Sequence, residues 1–412
     1  MTDQQDSDDR LTTRQTAERL GVKAETVYAY VSRGLLTRRR APEGRGSTFD
    51  AREVEALARH SARRPQSSRP TPFTPLATGI TLIERDRCYY RGVDTTALAT
   101  RYGYEEVADW LWTGDLTAGI RFRAPQEQLD AARACVAALP AHSATEDRLH
   151  AAVVGACAAD PLRSDLAPAA VHATARALIA ALVDAQPPLG PEPAPDAPLA
   201  DRLWARLTAH APTGAGVRAL DAALVLLIDH DLAVSTLAAR VAATARAHPY
   251  AVVLAGLGAL DGPLHGAAAA PAHRMVAEVL DHGSAAAVVA GRIREQRGVP
   301  GLGHLLYPAE DPRATALFAL LAEVPAAREP LGAAREVAAA AGRQRAAHAN
   351  IDLALAVLTV SCGMRPEAGQ AVFAVARTAG WIAHALEEYT EPAMRLRPSG
   401  AYRGPRPPRE LP

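Results

Sequence analysis

Strand-like alternation of apolar and polar positions is missing from most of this 412-residue chain. Beyond Gly79, Ala, Leu, Arg and Glu dominate and β-branched residues are few, which is the composition of helices. The pattern predicts helices over 104–112, 125–138, 168–185, 198–207, 214–228 and 366–388. One stretch reads differently: TLIERDRCYYRGVD has the pattern of a β-hairpin, with Tyr89 and Tyr90 near a turn. Two Pro-rich stretches punctuate the chain. Residues 61–79 carry four prolines and read as a linker, whereas the six prolines of 186–198 read as an exposed loop between two helices. No internal repeat is visible.

Ahead of the linker, Thr12-x-x-Gln15 has the form of a capping box, and Gly21 ends the helix it starts. A second helix is expected over 24–33, stopped by Gly34. A small hairpin between Leu36 and Phe49 and a helix from Asp50, with Val54 and Leu57 inward, complete the unit. Ala17, Gly21 and Val27 have the spacing of a helix-turn-helix: a small residue at the helix crossing, glycine at the turn, a branched anchor on the second helix. Lys23, Thr26, Tyr30 and Arg33 then lie on a recognition helix, and Arg38, Arg39, Arg40 and Arg45 follow where a β-wing meets phosphates. The alternative is a helical adaptor whose arginines form a solvated face. Over residues 11–64 the unit resembles the winged helix-turn-helix of the MerR and excisionase type, which implies duplex DNA as a partner.

Charge and cysteine usage narrow the rest. Lys+Arg and Asp+Glu are equal at 45 each, so a uniformly basic nucleic-acid coat is excluded, yet 13 basic and 6 acidic residues fall between Arg10 and Arg64. The four cysteines form no CxxC pair, which argues against a disulfide framework or a Cys-based zinc site and suits a reducing cytoplasm. No apolar run approaches the ~18–20 residues that span a bilayer. The acidic MTDQQDSDD start is the opposite of a secretory leader, and 1–10 reads as a disordered tail.

Candidate chemistry gathers around three histidines in helix-breaking contexts: His230 in IDHDLAVST, His265 in DGPLHGAAA and His304 in GLGHLLYPAEDPRA. Gly- and Pro-rich loops of this kind let backbone approach a ligand. Asp352 precedes an apolar run in NIDLAL, so desolvation should raise its pKa as a general base requires; the competing role is an N-cap for the helix that follows. Arg313, Arg377 and Arg397 are candidate carboxylate clamps.

Taken in order, ITLIERDRCYYRGVD, YEEVADWLWTGDL, DHDLAVSTLAARVAATA, GPLHG, GLGHLLYPAEDPRA, NID, RTAGWIAHALEE and RPSGAYRG give the chain from Gly79 to about Pro405 a resemblance to citrate synthase. The resemblance implies an all-α fold with a large domain (79–262 and 360–412) and a small one (263–359), joined through the linker 65–78 to the winged helix-turn-helix of 11–64. It implies a homodimer or larger assembly, acyl-CoA and oxaloacetate as substrates, and a tricarboxylic acid cycle acyltransferase with no cofactor and no metal. Roles follow from it residue by residue. His265 hydrogen-bonds the acetyl-CoA thioester oxygen, Asp352 removes the methyl proton, and His304 polarises the ketone. His230, Arg313 and Arg377 hold oxaloacetate carboxylates, and Arg397 reaches in from a neighbouring subunit.

The chain departs from the family pattern in four places. HGAAA puts Ala269 where an amide is usual, and Ala233 stands where H-E-x-N has its asparagine. Leu353 replaces an aromatic residue, and Pro308 replaces a basic one. A less polar pocket leaves propionyl-CoA, giving 2-methylcitrate, as an alternative substrate. A transcription regulator that uses a synthase-like body to sense acyl-CoA or oxaloacetate is the other reading.

Overall fold

Thr12 donates its backbone N–H to Gln15 Oε1 at 2.9 Å, and its hydroxyl oxygen accepts the Gln15 backbone N–H at 3.3 Å, the reciprocal box that their spacing predicts. The computed structural model describes residues 10–20, 22, 24–32, 36–40, 46–55, 76–262, 265–295, 298–342, 348–398 and 403–404. The box opens the Thr13–Leu20 helix, and Ala24–Ser32 follows it. Ala17, Val27, Leu36, Phe49 and Val54 make a small core of their own. Arg10–Thr12, Ser47–Asp50 and Arg38–Arg40 form an antiparallel sheet with Ser47–Asp50 in the middle and Arg38 opposite Phe49. The hairpin expected between Leu36 and Phe49 is therefore present. A short helical segment at 51–55 brings in Val54; Leu57, Gly21 and Gly34 lie outside the described residues.

The chain parts into two compact units, Met1–Leu76 and Ala77–Pro412. The second is nearly all helix, as its composition requires. Its one sheet among the described residues is a meander of Thr81–Glu84, Arg87–Tyr90 and Val93–Asp94. Arg85 and Asp86 turn the first corner with φ of 54° and 56°, and Arg91 and Gly92 the second, directly after Tyr89 and Tyr90. The expected helices appear as Tyr104–Thr113, Gln126–Ala137, Pro168–Asp184, Leu199–Leu207, Gly214–Leu227 and Ala368–Thr390, and 187–198 carries neither helix nor strand.

Ala368–Thr390 is the centre of this unit. It is buried almost throughout and packs against Gly214–Leu227, Val234–Thr244, Pro249–Leu260 and Pro168–Asp184. Trp381 is fully buried on it and lies flat over Gly256, where a Cβ would stand 2.6 Å from the indole ring. The close approach of the two helices thus depends on glycine. All four cysteines are unpaired, and no helix among the described residues is long and apolar enough to cross a membrane.

Candidate active site

Asn350 determines what Asp352 can do. Its side-chain oxygen accepts the Asp352 backbone N–H at 3.0 Å and so caps the Ile351–Ser361 helix. Asp352 is therefore the second residue of the helix, in its first turn, and Asn350 takes the N-cap role that competed for it. Burial raises its pKa to about 6, against the lowering pull of Arg313, while Asp311 adds a smaller upward push.

Main-chain bonds bring the His304 loop to this helix. Asn350 donates its backbone N–H to Gly301 O at 2.9 Å and its side-chain amide to Gly303 O at 2.9 Å, and Gly303 N–H reaches His348 O at 2.7 Å. Gly301 has φ of 79°, and a Cβ there would sit 2.7 Å from Leu353 Cβ. Leu353, buried in place of an aromatic residue, thus packs directly beneath the loop that carries His304.

Asp311 ties the same two elements from the other side. It caps the Pro312–Leu321 helix, grips Arg313 through both carboxylate oxygens at 3.0 and 2.9 Å, and accepts the Ile351 N–H at 3.0 Å. The Arg313 guanidinium and these bonds hold its carboxyl below the usual range despite burial. Sequence reasoning missed Asp311, although an Asp directly before a Pro-initiated helix is a recognisable N-cap signal.

His230 follows the Gly214–Leu227 helix, and its Nε2 lies 2.9 Å from the Tyr307 hydroxyl. Its ring packs edge-on against His304, with centroids 4.9 Å apart, and the Tyr307 ring sits beneath the Arg313 guanidinium at 5.5 Å. Burial with Arg313 nearby lowers His304 to about 4, and burial with both arginines holds His230 well below its ordinary value. Both imidazoles are neutral at neutral pH. The His304 Nδ1 accepts the Leu306 backbone N–H at 3.1 Å, so the ring proton is on Nε2 and available for donation.

His265 joins through Arg377. Its Nε2 lies 2.8 Å from the hydroxyl of fully buried Ser235, and its ring meets Phe373 edge-on; the Arg377 guanidinium covers the same Phe373 at 4.5 Å. Burial, with Arg377 contributing, lowers its pKa. Arg377 donates Nε–H to Leu227 O at 2.9 Å, while its buried Nη1 meets no acceptor among the described residues. A desolvated cation with an unmet donor is a receptor for an anion.

The fold thus collects His230, His265, His304, Arg313, Asp352 and Arg377 in one cluster. Arg397 is separate: it is exposed on the segment after Ala368–Thr390 and bonds Met394 O through its backbone N–H. Arg395, two residues earlier, is clamped on both oxygens of buried Glu388 at 2.7 and 2.6 Å, which anchors that segment. Tyr307, Ser235 and Phe373 also escaped sequence reasoning, because their contacts are long-range and no local motif marks them. Of the departures, Ala269 is buried against Gly369, and Ala233 is the N-cap of Val234–Thr244 with no side-chain bond. No group of three His, Cys, Asp or Glu side chains among the described residues is placed to hold a metal ion.

In the first unit, Tyr30 lies on the Ala24–Ser32 helix. It is partly buried against the small core, because an aromatic ring one turn beyond Val27 finds apolar cover there. Tyr28 on the same helix is exposed, beneath the Arg38 guanidinium at 5.8 Å. Arg38 and Arg39 are exposed on their strand, Thr26 is half-buried on its helix, and Arg40 ends the strand. Lys23, Arg33 and Arg45 lie outside the described residues.

Comparison with known proteins adds sequence evidence. The family model described as citrate synthase, C-terminal domain, matches residues 73–399. Citrate synthase 2 of Bacillus subtilis is 30% identical over 217 residues, 52% of this chain and 58% of that protein, so the chain spans little more than half the length of this curated relative. The 2-methylcitrate synthase of Mycobacterium tuberculosis is 28% identical over 334 residues, 76% of this chain and 84% of that one. The crystal structure of citrate synthase from Thermotoga maritima superposes with a TM-score of 0.67 at 25% identity, covering 85% of this chain and 98% of that one.

Proposed function

The chain belongs to the citrate synthase family, and on that premise we propose that it condenses acetyl-CoA with oxaloacetate and water to give citrate and CoA. The observation that carries this reading is the pairing of a carboxylate whose pKa is raised to about 6 with two neutral imidazoles and two buried arginines. In this mechanism the Asp352 carboxylate takes a proton from the thioester methyl group. A base alone is too weak for such a carbon acid; His265 donates a hydrogen bond to the thioester oxygen, where the enol charge develops. The Ser235 hydroxyl lies 2.8 Å from Nε2, and the mechanism requires it to donate there, so that the ring proton is on Nδ1 for this bond. The enol carbon attacks the oxaloacetate ketone, and His304 Nε2–H supplies the proton for the alkoxide. Arg313, Arg377 and His230 hold the dianionic acceptor for attack. Water then cleaves the thioester.

Two lobes, 79–262 with 360–412 and 263–359, close over the substrates, and Arg397 enters the site of a second copy in a homodimer. The unpaired cysteines suit a cytoplasmic location. The first unit binds duplex DNA as a MerR- or excisionase-type winged helix-turn-helix: Ala17 and Val27 are buried at its helix crossing, and exposed Arg38 and Arg39 lie on the wing. The longer alignment with a 2-methylcitrate synthase, together with the missing amides at Ala233 and Ala269, favours propionyl-CoA as the second substrate candidate.

CoA release by the purified protein, given oxaloacetate with acetyl-CoA and propionyl-CoA in parallel, tests the reading. Turnover that Asp352→Ala abolishes is the expected result, and the faster thioester names the substrate. Silence with both thioesters alongside measurable oxaloacetate binding transfers the assignment to a sensor that regulates through DNA.

A further inference from the structure

A cavity of about 290 Å³ has none of the three site histidines, and not Asp352, in its lining. Arg148, Arg206, Arg365 and His142 line it, against the single carboxylate of Glu367, and that carboxylate is already 3.6 Å from Arg274. Arg206 is the centre of the argument. It is 8% exposed, it pairs through Nη1 with half-exposed Glu192, and its buried Nε–H meets no acceptor among the described residues. A guanidinium grips a carboxylate or phosphate through a planar fork of N–H donors. Two helices also start at the cavity: Thr145 and Ala368, the first residues of Thr145–Ala158 and Ala368–Thr390, both line it. Helix N-termini reinforce the positive potential. Buried Leu149, Leu203, Leu207 and Val375 also line it and supply apolar surface.

We propose that this cavity binds a small organic anion, an anionic headgroup on an apolar body, with Arg206 and Arg365 on the headgroup and the leucines around the body. Such a ligand touches Ala371 and Val375 on the helix whose other face carries Phe373 and Arg377. The proposal rests on residues outside the catalytic cluster and stands or falls independently of the reaction assigned to it.

Isothermal titration of the full chain with phenyl phosphate and with benzoate tests the site and distinguishes a phosphate from a carboxylate head. Inorganic phosphate and benzyl alcohol serve as head-only and body-only probes. One of the two amphipathic anions is expected to bind more tightly than either fragment. Arg206→Met should weaken it about tenfold or more, since one charge-assisted contact is lost, exposed Arg365→Ala should weaken it several-fold, and Arg377→Gln should leave it in place. No binding of either anion, or unchanged affinity in Arg206→Met and Arg365→Ala, overturns the proposal, as does loss in Arg377→Gln with retention in Arg206→Met. Should Arg206→Met fail to fold by circular dichroism, the exposed Arg365→Ala decides alone.

Discussion

Asp352 concentrates the conflict between stability and chemistry at a single residue. Its carboxyl holds a proton more tightly in the folded chain than in the unfolded one, so folding loses stability as pH rises from the ordinary carboxylate range through about 6. Above that pH the ionised group destabilises the protein by up to ~3 kcal/mol. Asp352→Asn should therefore lose turnover by orders of magnitude and yet melt at a higher temperature at pH 8, a pair of results that calorimetry and CoA release measure together. The pH profile of kcat/KM should fall on the acid side with an apparent pKa near 6, where the base becomes protonated. His304, lowered to about 4, is neutral across that range and adds no second limb. Two limbs near neutrality would assign the proton transfer elsewhere. Asp311 acts through Arg313: with Asp311→Asn, the buried guanidinium loses its bidentate partner, at about 3 kcal/mol. Steady-state kinetics should show KM for oxaloacetate rising more than kcat falls.

Between elements, the site depends on how closely one loop approaches one helix. Gly301 allows that approach twice over, by its positive φ and by its missing Cβ above Leu353. Gly301→Ala should displace the His304 loop from the Asp352 helix, and activity should drop further than thermal stability does. A variant with near wild-type rate would show that the contact is not needed. The uncapped start of Val234–Thr244 gives the opposite case. Ala233→Asn supplies the missing acceptor for an orphan backbone N–H and should raise unfolding free energy by about 1 kcal/mol, measured by urea titration. His230 stands three residues away and Ser235 two, so the same variant reports whether a firmer helix start sharpens oxaloacetate binding.

At the scale of the whole molecule, the chain parts into two units, each with a core of its own. If the wing of the first meets phosphates, replacing Arg38, Arg39 and Arg40 by alanine should weaken duplex binding evenly across sequences and flatten its dependence on salt, by roughly one counterion per arginine that makes a contact. Fluorescence anisotropy at several salt concentrations measures both. An unchanged slope would reduce the arginines to a solvated face.

Helices, the capping box at Thr12 and Gln15, the three-histidine set and the raised carboxyl of Asp352 were legible in the sequence, because each depends on neighbours within a few positions or on a motif of fixed spacing. Asp311 was half-legible, as an N-cap before proline whose grip on Arg313 no local rule announces. Tyr307 against His230, Ser235 and Phe373 against His265, and the arginine-lined cavity depend on contacts between residues far apart in the chain. Local propensity carries no information about such pairs. The chain by itself determined which residues can hold or move a proton and which segments become helix. Only the tertiary structure decided which of them share a desolvated space, and burial in that space shifts their pKa values and leaves a guanidinium without its acceptor.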